Sequence, residues 1–269
     1  QGRLAAEENV EDVKKFLTSD TKMVFITAGM GGGTGTGAAP VIARIAREQG
    51  LLTVGIVTIP FKFEGKQRIK QALEGIGHLK KYVDSLLVIH NERLREIYGD
   101  LKLSEAFAKA DNILTIAAKG IAEIITVHGY VNVDFADVRT VMSEMGMAMM
   151  GSGSAGGENR AREAAEAAIA SPLLEDVNVS GARGILVNVT AGLDMSIGEF
   201  EEVGNTVKEF ASDNATVVVG TVIDPEMSGE LRVTVVATGL GREHEAAAVT
   251  EQSMKLVVDK TNNGDVDYG

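Results

Sequence analysis

Short apolar runs alternate with segments of helical periodicity through the first half of the chain. Predicted strands at residues 22–28, 51–59 and 84–89 are separated by predicted helices at 38–49 and 65–82. Apolar strands separated by helices are typical of a parallel sheet with right-handed crossovers. The pattern therefore predicts an α/β domain built on a parallel sheet.

A long helix is predicted over residues 103–128, after a short helix at 91–98. Its apolar residues recur at three- and four-residue spacing over most of its length: Leu103, Phe107, Ala110, Leu114, Ala117, Ala118, Ile121, Ile124 and Ile125. At about 26 residues this helix would span ~39 Å. A further helix is expected to begin near Phe135.

The pattern changes after Gly146, where strands rich in Val, Ile and Thr become more frequent. The predicted elements are strands at 184–191, 215–223 and 231–238 and helices at 158–170 and 197–211. They suggest an α+β unit packed behind the long helix. Residues 241–269 lose periodicity and are expected to form a flexible tail or linker.

The bulk composition excludes several classes of function. A chain of 269 residues can bury one large core or two modest ones, and its net charge of −12 argues against nucleic-acid binding. The lack of cysteine excludes disulfides and thiolate chemistry and is compatible with a reducing cytoplasm. No run approaches the ~20 apolar residues that span a bilayer, and residues 1–17 form a charged helical pattern without the apolar core of a signal peptide. The histidines show no paired metal spacing and receive no catalytic role: His78, His90, His128 and His244.

A glycine-rich run connects the first predicted strand to the first predicted helix. It has the sequence A-G-M-G-G-G-T-G-T-G and ends at Gly37. Glycine allows positive φ and close approach of the backbone to an anion, and unpaired amides at a helix N-terminus point toward it. A tight turn would need only one or two glycines, so the run predicts a phosphate site. A second run at 151–157 lacks the Thr-Gly-Thr pattern and favours a connector.

Three kinds of glycine loop compete for this assignment. The nucleotide-triphosphatase loop requires a lysine after its last glycine, and none is present. The dinucleotide pattern is matched by Gly33, Gly35 and Ala38, but it also needs an acid after the next strand, and 51–59 has none at its end. The pattern G-G-G-T-G-[ST]-G, the signature loop of the tubulin superfamily, fits residues 31–37 at every position.

Three further motifs extend this resemblance to the FtsZ family, the bacterial cell-division relatives of tubulin. Residues 60–68 (PFKFEGKQR) resemble the ribose-side loop of that family, and Asn91 falls at its next nucleotide-facing loop. Residues 132–139 (NVDFADVR) resemble its synergy loop. With the glycine loop, these motifs follow the family's order and place the resemblance over residues 22–240.

The resemblance implies a tubulin-like fold in two parts. Residues 1–128 would form a partial, Rossmann-like GTPase domain that includes the central helix. Residues 129–240 would form the α+β C-terminal activation and polymerisation domain, with the synergy loop at 129–137. Family members carry a further βαβ region before this point, so the chain, which lacks an initiator Met, is expected to be a fragment. The loss would leave strand 22–27 without a neighbour on one side.

Two pairs of residues spaced four apart have both a structural and a functional interpretation. The spacing of Glu64 and Arg68 matches an ordinary i,i+4 ion pair. Their position at the ligand-binding edge of the sheet, taken together with the resemblance, favours contacts to ribose and phosphate. A phenylalanine such as Phe107 is usually a core residue. Phe107 could instead stack on a base, with the Asp111 carboxylate beyond it accepting from the donor edge of guanine. The resemblance supports guanine.

The remaining site residues lie near helix starts. Asn91 is ambiguous between an N-cap, which the residues alone favour, and a ligand contact. Asp134 and Asp137 match an N-cap and a first-turn acid. The resemblance implies instead that both carboxylates complete the pocket of the next subunit and orient water, directly or through Mg²⁺, while Asn132 positions the loop.

The resemblance thus implies a self-polymerising, GTP- and GDP-binding GTPase of the bacterial septal ring, which hydrolyses GTP between head-to-tail subunits. It would act in the cytoplasm at mid-cell with membrane-tether and division proteins, although their tail-binding peptide is absent, and would not insert into the membrane. The expected nucleotide contacts are Gly31, Gly32, Gly33, Thr34, Gly35, Thr36, Gly37, Glu64, Arg68, Asn91, Phe107 and Asp111, and no residue is assigned as a metal ligand. A nucleotide-binding polymer subunit or regulator without turnover is the alternative, disfavoured by the presence of Asp134 and Asp137. A nicotinamide-dependent oxidoreductase ranks third.

Overall fold

Seven strands form one sheet in the residues that the computed structural model describes, which are 1–127, 129–174 and 178–240. The strands are β1 (Met23–Gly29), β2 (Leu52–Ile59), β3 (Ser85–His90), β4 (Gly146–Gly156), β5 (Gly184–Ala191), β6 (Thr216–Ile223) and β7 (Glu230–Thr238). The helices are α1 (Gly2–Glu8), α2 (Val10–Phe16), α3 (Gly33–Glu48), α4 (Lys66–Leu79), α5 (Asn91–Tyr98), α6 (Leu103–Thr126), α7 (Phe135–Met142), α8 (Arg160–Ile169) and α9 (Ile197–Phe210). Across the sheet the order is β1-β2-β3-β4-β7-β5-β6.

The first three strands are parallel and end at the same edge of the sheet. Gly29 of β1 is in register with Thr58 of β2, and Ile59 of β2 is in register with His90 of β3. Every residue of β2 is buried, as expected for a parallel strand covered by helices on both faces. The predicted parallel α/β half is confirmed, and β1 is an edge strand within the described part of the chain.

The sheet continues into the second half of the chain through β4. This strand pairs in parallel with β3 over three residues and antiparallel with β7 over nine. β5 is antiparallel to β7 and parallel to the edge strand β6. The mixed α/β architecture with a parallel sheet in its first half agrees with the predicted tubulin-like fold class.

Helix α6 packs against strands from both halves of the sheet. Its buried face shares one hydrophobic core with Ile56 of β2, Leu186 of β5 and Val236 of β7. The observed helix has 24 residues and is therefore ~36 Å long at 1.5 Å per residue. It connects the edge where β1 to β3 end with the loop that precedes α7.

The glycine-rich run at 151–157 is not a connector, and that prediction was wrong. All but its last residue belongs to β4. A Cβ atom on Gly153 would lie 2.5 Å from the amide nitrogen of Ala168 and 2.6 Å from the carbonyl oxygen of Ala164, and one on Gly151 would collide with the carbonyl oxygen of Ala168. These glycines therefore allow α8 to lie directly on the strand backbone.

Helix α3 begins at Gly33 rather than at Ala38, so the second half of the first glycine run is helical. A Cβ atom on Gly37 would lie 2.7 Å from the backbone nitrogen of Arg3, and one on Gly2 would collide with the carbonyl oxygen of Thr34. Helix α1 thus packs directly against the first turn of α3. The non-helical loop is reduced to the residues just before Gly33.

Candidate functional site

The candidate site lies where β1, β2 and β3 reach their carboxyl ends. Open α/β sheets bind ligands at this edge. The three connections that leave it contain the glycine loop, the segment from Pro60 to Gly65, and the step from His90 into α5. The structure therefore brings three of the four sequence motifs to one edge.

Gly31 fixes the shape of the glycine loop. Its φ is +101°, a conformation that disfavours residues with a side chain. Its amide donates a hydrogen bond of 2.9 Å to the hydroxyl oxygen of Thr36. A Cβ atom at this position would lie 2.8 Å from the carbonyl oxygen of Arg68 and 2.9 Å from Cγ of Pro60. The loop therefore packs closely against the neighbouring connection.

The amides of the first turn of α3 remain available for an anion. Gly32, Gly33 and Thr34 are exposed, and no side chain within the described ranges caps this helix. The unpaired amides and the positive end of the helix dipole together attract a phosphate group.

We expect Gly31→Ala to lower the free energy of unfolding by about 2 kcal/mol or more, because the left-handed φ and the contact with Arg68 both oppose a side chain. Gly33→Ala is the matched control, since a Cβ atom there has no atom within 4 Å. As Gly33 opens a helix, the control should be unchanged or slightly more stable. Urea unfolding of both variants measures the difference, and equal losses would contradict this account of the loop.

Glu64 and Arg68 form the ion pair that their spacing predicts. Oε1 of Glu64 lies 3.4 Å from Nη1 of Arg68, and Oε2 accepts a hydrogen bond of 2.9 Å from the amide of Phe61. The side chain of Glu64 is 12% exposed and that of Arg68 is 59% exposed. Glu64 therefore stabilises its own connection, whereas the Arg68 guanidinium is open to solvent beside the glycine loop.

Three aromatic rings form a cluster beside this connection. Phe61 and Phe63 stack with centroids 5.0 Å apart, and the ring of Phe107 stands edge-on to both, at 6.1 and 5.7 Å. Phe61 is buried, but Phe63 and Phe107 are 52% and 41% exposed, so Phe107 is not an ordinary core residue. Asp111 is exposed one helical turn after Phe107. The two partner rings were not predicted from the sequence, although the spacing Phe61-Lys62-Phe63 after Pro60 could have indicated them.

Asn91 is buried without a complete set of hydrogen bonds. It is the first residue of α5 and is 5% exposed, and its Oδ1 atom has no hydrogen-bond partner among the described residues. The preference for an N-cap role was therefore wrong. A buried acceptor without a donor costs about 1–3 kcal/mol. A ligand hydroxyl at this edge would relieve that cost.

His90 precedes Asn91 at the end of β3 and stays neutral at physiological pH. Burial, and then the positive charge of Arg93, lower its pKa from 6.5 to about 4. The unfolded chain therefore binds a proton at His90 between these two values that the folded chain does not bind. Stability from this group is present above pH 6.5 and is lost as the pH falls toward 4.

We expect His90 to contribute about 2 kcal/mol to the loss of stability between pH 7 and pH 5. His90→Gln should reduce the difference between urea unfolding free energies at these two pH values by that amount. An unchanged difference in the His90 variant would contradict the lowered pKa.

The fourth motif lies at the other end of α6. From Phe107 to the last residue of this helix the rise is ~29 Å at 1.5 Å per residue, and the loop of residues 129–134 follows. Oδ1 of Asn132 accepts a hydrogen bond of 3.3 Å from the amide of Gly129, and Oδ2 of Asp137 accepts one of 3.3 Å from the amide of Asp134. Both aspartates are exposed. The structure thus shows Asp137 capping its helix and keeps these acids away from the glycine loop of the same chain.

No group of three or more His, Cys, Asp or Glu side chains is arranged to hold a metal ion within the described ranges. In the same part of the chain, no helix combines the length and apolarity needed to cross a bilayer.

Comparison with known proteins gives matches over most of the chain. The profile of the Tubulin/FtsZ family, GTPase domain, matches residues 1–99, and that of the FtsZ family, C-terminal domain, matches residues 146–241. Cell division protein FtsZ of Coxiella burnetii is 61% identical over 268 residues, which are 99% of this chain and 69% of that protein. Its counterpart in Azotobacter vinelandii is 63% identical over 241 residues, 89% of this chain and 61% of that protein.

A solved structure, the empty FtsZ dimer of M. jannaschii, superposes with a TM-score of 0.85 at 47% identity, over 88% of this chain and 69% of that one. The chain thus spans 61–69% of the length of these relatives. The resemblance predicted from the four motifs is confirmed, and the chain belongs to the FtsZ family.

Proposed function

We propose that this chain binds GTP at the carboxyl edge of β1 to β3, and that GTP is hydrolysed only when a second subunit adds its loop of residues 129–137. The observation that carries this proposal is the separation of the two parts along α6. The phosphate-binding loop and the exposed aspartates stand at opposite ends of a helix ~36 Å long. A head-to-tail stack would bring the acidic loop of one subunit to the glycine loop of the next and generate a filament.

The binding edge offers groups suited to each part of a guanine nucleotide. The amides that follow Gly32 would hold phosphates, and the exposed Arg68 would neutralise their charge. The Oδ1 atom of Asn91 and the carboxylate of Glu64 would accept from ribose hydroxyls. The base would stack on Phe107, with Asp111 accepting from the donor edge of guanine.

The loop of residues 129–137 would supply what the glycine loop lacks. The residues from Gly31 to Gly37 contain hydroxyls and amides but no carboxylate and no base. Asp134 and Asp137 of the adjacent subunit would orient and polarise the attacking water. Hydrolysis would then depend on assembly. Cleavage of GTP would in turn weaken the contact between the two subunits.

Mg²⁺ fits this arrangement as an ion carried mainly by the nucleotide. Such an ion keeps several water and phosphate ligands and needs few protein groups. Thr34 is exposed, whereas the hydroxyl of Thr36 accepts from the amide of Gly31, so the hydroxyl of Thr34 would be the loop group that contributes. The lack of a cluster of metal-binding side chains in the described residues does not conflict with this mode. When bound, the ion would neutralise phosphate charge.

We infer a cellular role in division, in the cytoplasm at the mid-cell septal ring, from the family to which the chain belongs. Membrane-tether and division proteins would act as partners there.

The test measures nucleotide binding and phosphate release against protein concentration, for this chain and for the full-length protein. We expect GTP and GDP to bind in preference to ATP, and turnover per subunit of the full-length protein to rise with concentration until assembly saturates. Turnover per subunit that stays flat would exclude an interface-built site. Tight binding without any turnover would support a non-hydrolysing polymer subunit instead.

A further inference from the structure

The edge strand β6 holds the loop that carries Asn132 and Asp134. β6 pairs with β5 on one side, and its other edge faces residues 129–133. Thr221, in this strand, is 1% exposed. Its hydroxyl oxygen accepts a hydrogen bond of 3.1 Å from the amide of Val131. The same hydroxyl lies 3.4 Å from the carbonyl oxygen of Val131, within donating distance. A single buried hydroxyl therefore contacts both main-chain polar groups of Val131.

The packing around this contact leaves the loop little freedom. The backbone amide of Thr221 donates a further bond of 3.4 Å to the carbonyl of Val131. A Cβ atom on Gly129 would lie 2.5 Å from the Thr221 hydroxyl, so the loop approaches the strand at backbone distance. Gly220 makes room for Val133 in the same way, because a Cβ atom there would lie 2.9 Å from its Cγ2.

The consequence of this attachment is the outward orientation of the neighbouring residues. Val133 is buried, whereas Tyr130 is 66% exposed, Val131 is 36% exposed and Asn132 is exposed as well. Asp134 follows, exposed, at the start of α7. The attached loop therefore presents the side chains of Asn132 and Asp134 at this end of the molecule.

We propose that Thr221 is a positioning residue for GTP hydrolysis, whose hydroxyl holds the loop of residues 129–134 in the orientation that the next subunit requires. This inference rests on the proposed function, in which that loop completes the neighbouring site. Thr221 contacts no reacting group and acts through Val131. A carboxylate contributes most to catalysis when its orientation is fixed. A more mobile loop therefore lowers turnover, whereas the nucleotide-binding edge of the same chain is unchanged.

The test compares Thr221→Val, which removes the hydroxyl and keeps the shape, with Thr221→Ser, which keeps the hydroxyl. Thr206→Val is the matched control, because Thr206 is also 1% exposed and its hydroxyl has no hydrogen-bond partner among the described residues. In this chain, amide hydrogen exchange at Val131 should accelerate about tenfold or more in Thr221→Val and stay near wild type in the other two variants. Exchange in β5 reports whether each variant is folded.

In the full-length protein, kcat per assembled subunit should fall about tenfold or more in Thr221→Val at unchanged GTP affinity, and Thr221→Ser should recover most of it. Polymer measured by sedimentation corrects kcat for assembly. The positioning role would be overturned if Thr221→Val kept the wild-type kcat. It would also be overturned if Thr221→Val and Thr221→Ser lowered kcat equally. Unchanged exchange at Val131 would overturn the attachment itself. Failure of the proposed function can be distinguished from failure of the positioning role. In that case the wild-type protein would show no concentration-dependent turnover, regardless of the exchange rate at Val131.

Discussion

Replacing Asp137 with asparagine or alanine should lower GTP turnover of the full-length protein by about 100-fold or more while GTP still binds, as expected when a catalytic acid–base group is removed. The carboxylate would act on the nucleotide of an adjacent subunit, so its loss leaves the binding edge of its own chain unchanged. Phosphate release at saturating protein concentration and equilibrium binding of GTP measure the two effects separately.

The two substitutions also separate catalysis from helix capping. Oδ2 of Asp137 accepts a hydrogen bond from the amide of Asp134, and the side-chain oxygen of asparagine can accept the same bond. If Asp137 only caps α7, the asparagine variant should turn over GTP normally and the alanine variant should be impaired. That pattern would contradict the catalytic assignment. Asp12→Asn, at an exposed position on α2, controls for a general change of charge.

Asp84→Ala should lower the free energy of unfolding by about 3 kcal/mol, the largest stability effect we expect from one side chain. Asp84 is 6% exposed and lies just before β3. Its carboxylate accepts from Nη1 of Arg47 at 2.8 Å, from the amide of Thr53 at 2.9 Å and from the amide of Glu144 at 3.2 Å. Alanine would leave both amides without an acceptor.

The control for this prediction is Asp12→Ala. Asp12 forms an exposed ion pair with Lys15 at 3.8 Å, and pairs of this kind contribute about 0.5 kcal/mol or less. Urea unfolding at neutral pH compares the two variants with the wild type. Similar small losses of unfolding free energy in both variants would contradict this prediction. They would mean that water replaces the carboxylate before β4 and that the contacts of Asp84 are not important for stability.

The parallel half of the fold was predictable because β2 and β3 are predominantly apolar runs between amphipathic helices. β4 was missed, since its glycine and serine residues have low strand propensity and are selected by the approach of α8 rather than by the strand itself. The start of α3 was placed too late for a related reason. Glycine is a poor helix former in general, yet contact with α1 requires it at Gly37.

The candidate site was predictable where local spacing decides the contact, as for Glu64 and Arg68. The N-cap interpretation of Asn91, which the residues alone favoured, was wrong because an N-cap is a local preference, whereas the burial of the side-chain amide depends on the surrounding connections. The contact between Val131 and Thr221 joins residues 90 positions apart. No periodicity or motif marks such a pair, and only the register of β6 against the loop reveals it.

The glycines of β4 have a consequence for how the chain tolerates change. At Gly151 and Gly153 the backbone of α8 occupies the space of any side chain, so even alanine should be rejected in a saturation mutagenesis screen. A Cβ atom on Gly32 or Gly33 would have no atom within 4 Å, and a screen for folding alone should accept alanine there. Gly32 and Gly33 would therefore give the opposite result to Gly151 and Gly153 in selections for abundance, and only a selection for cell division would make all four appear constrained.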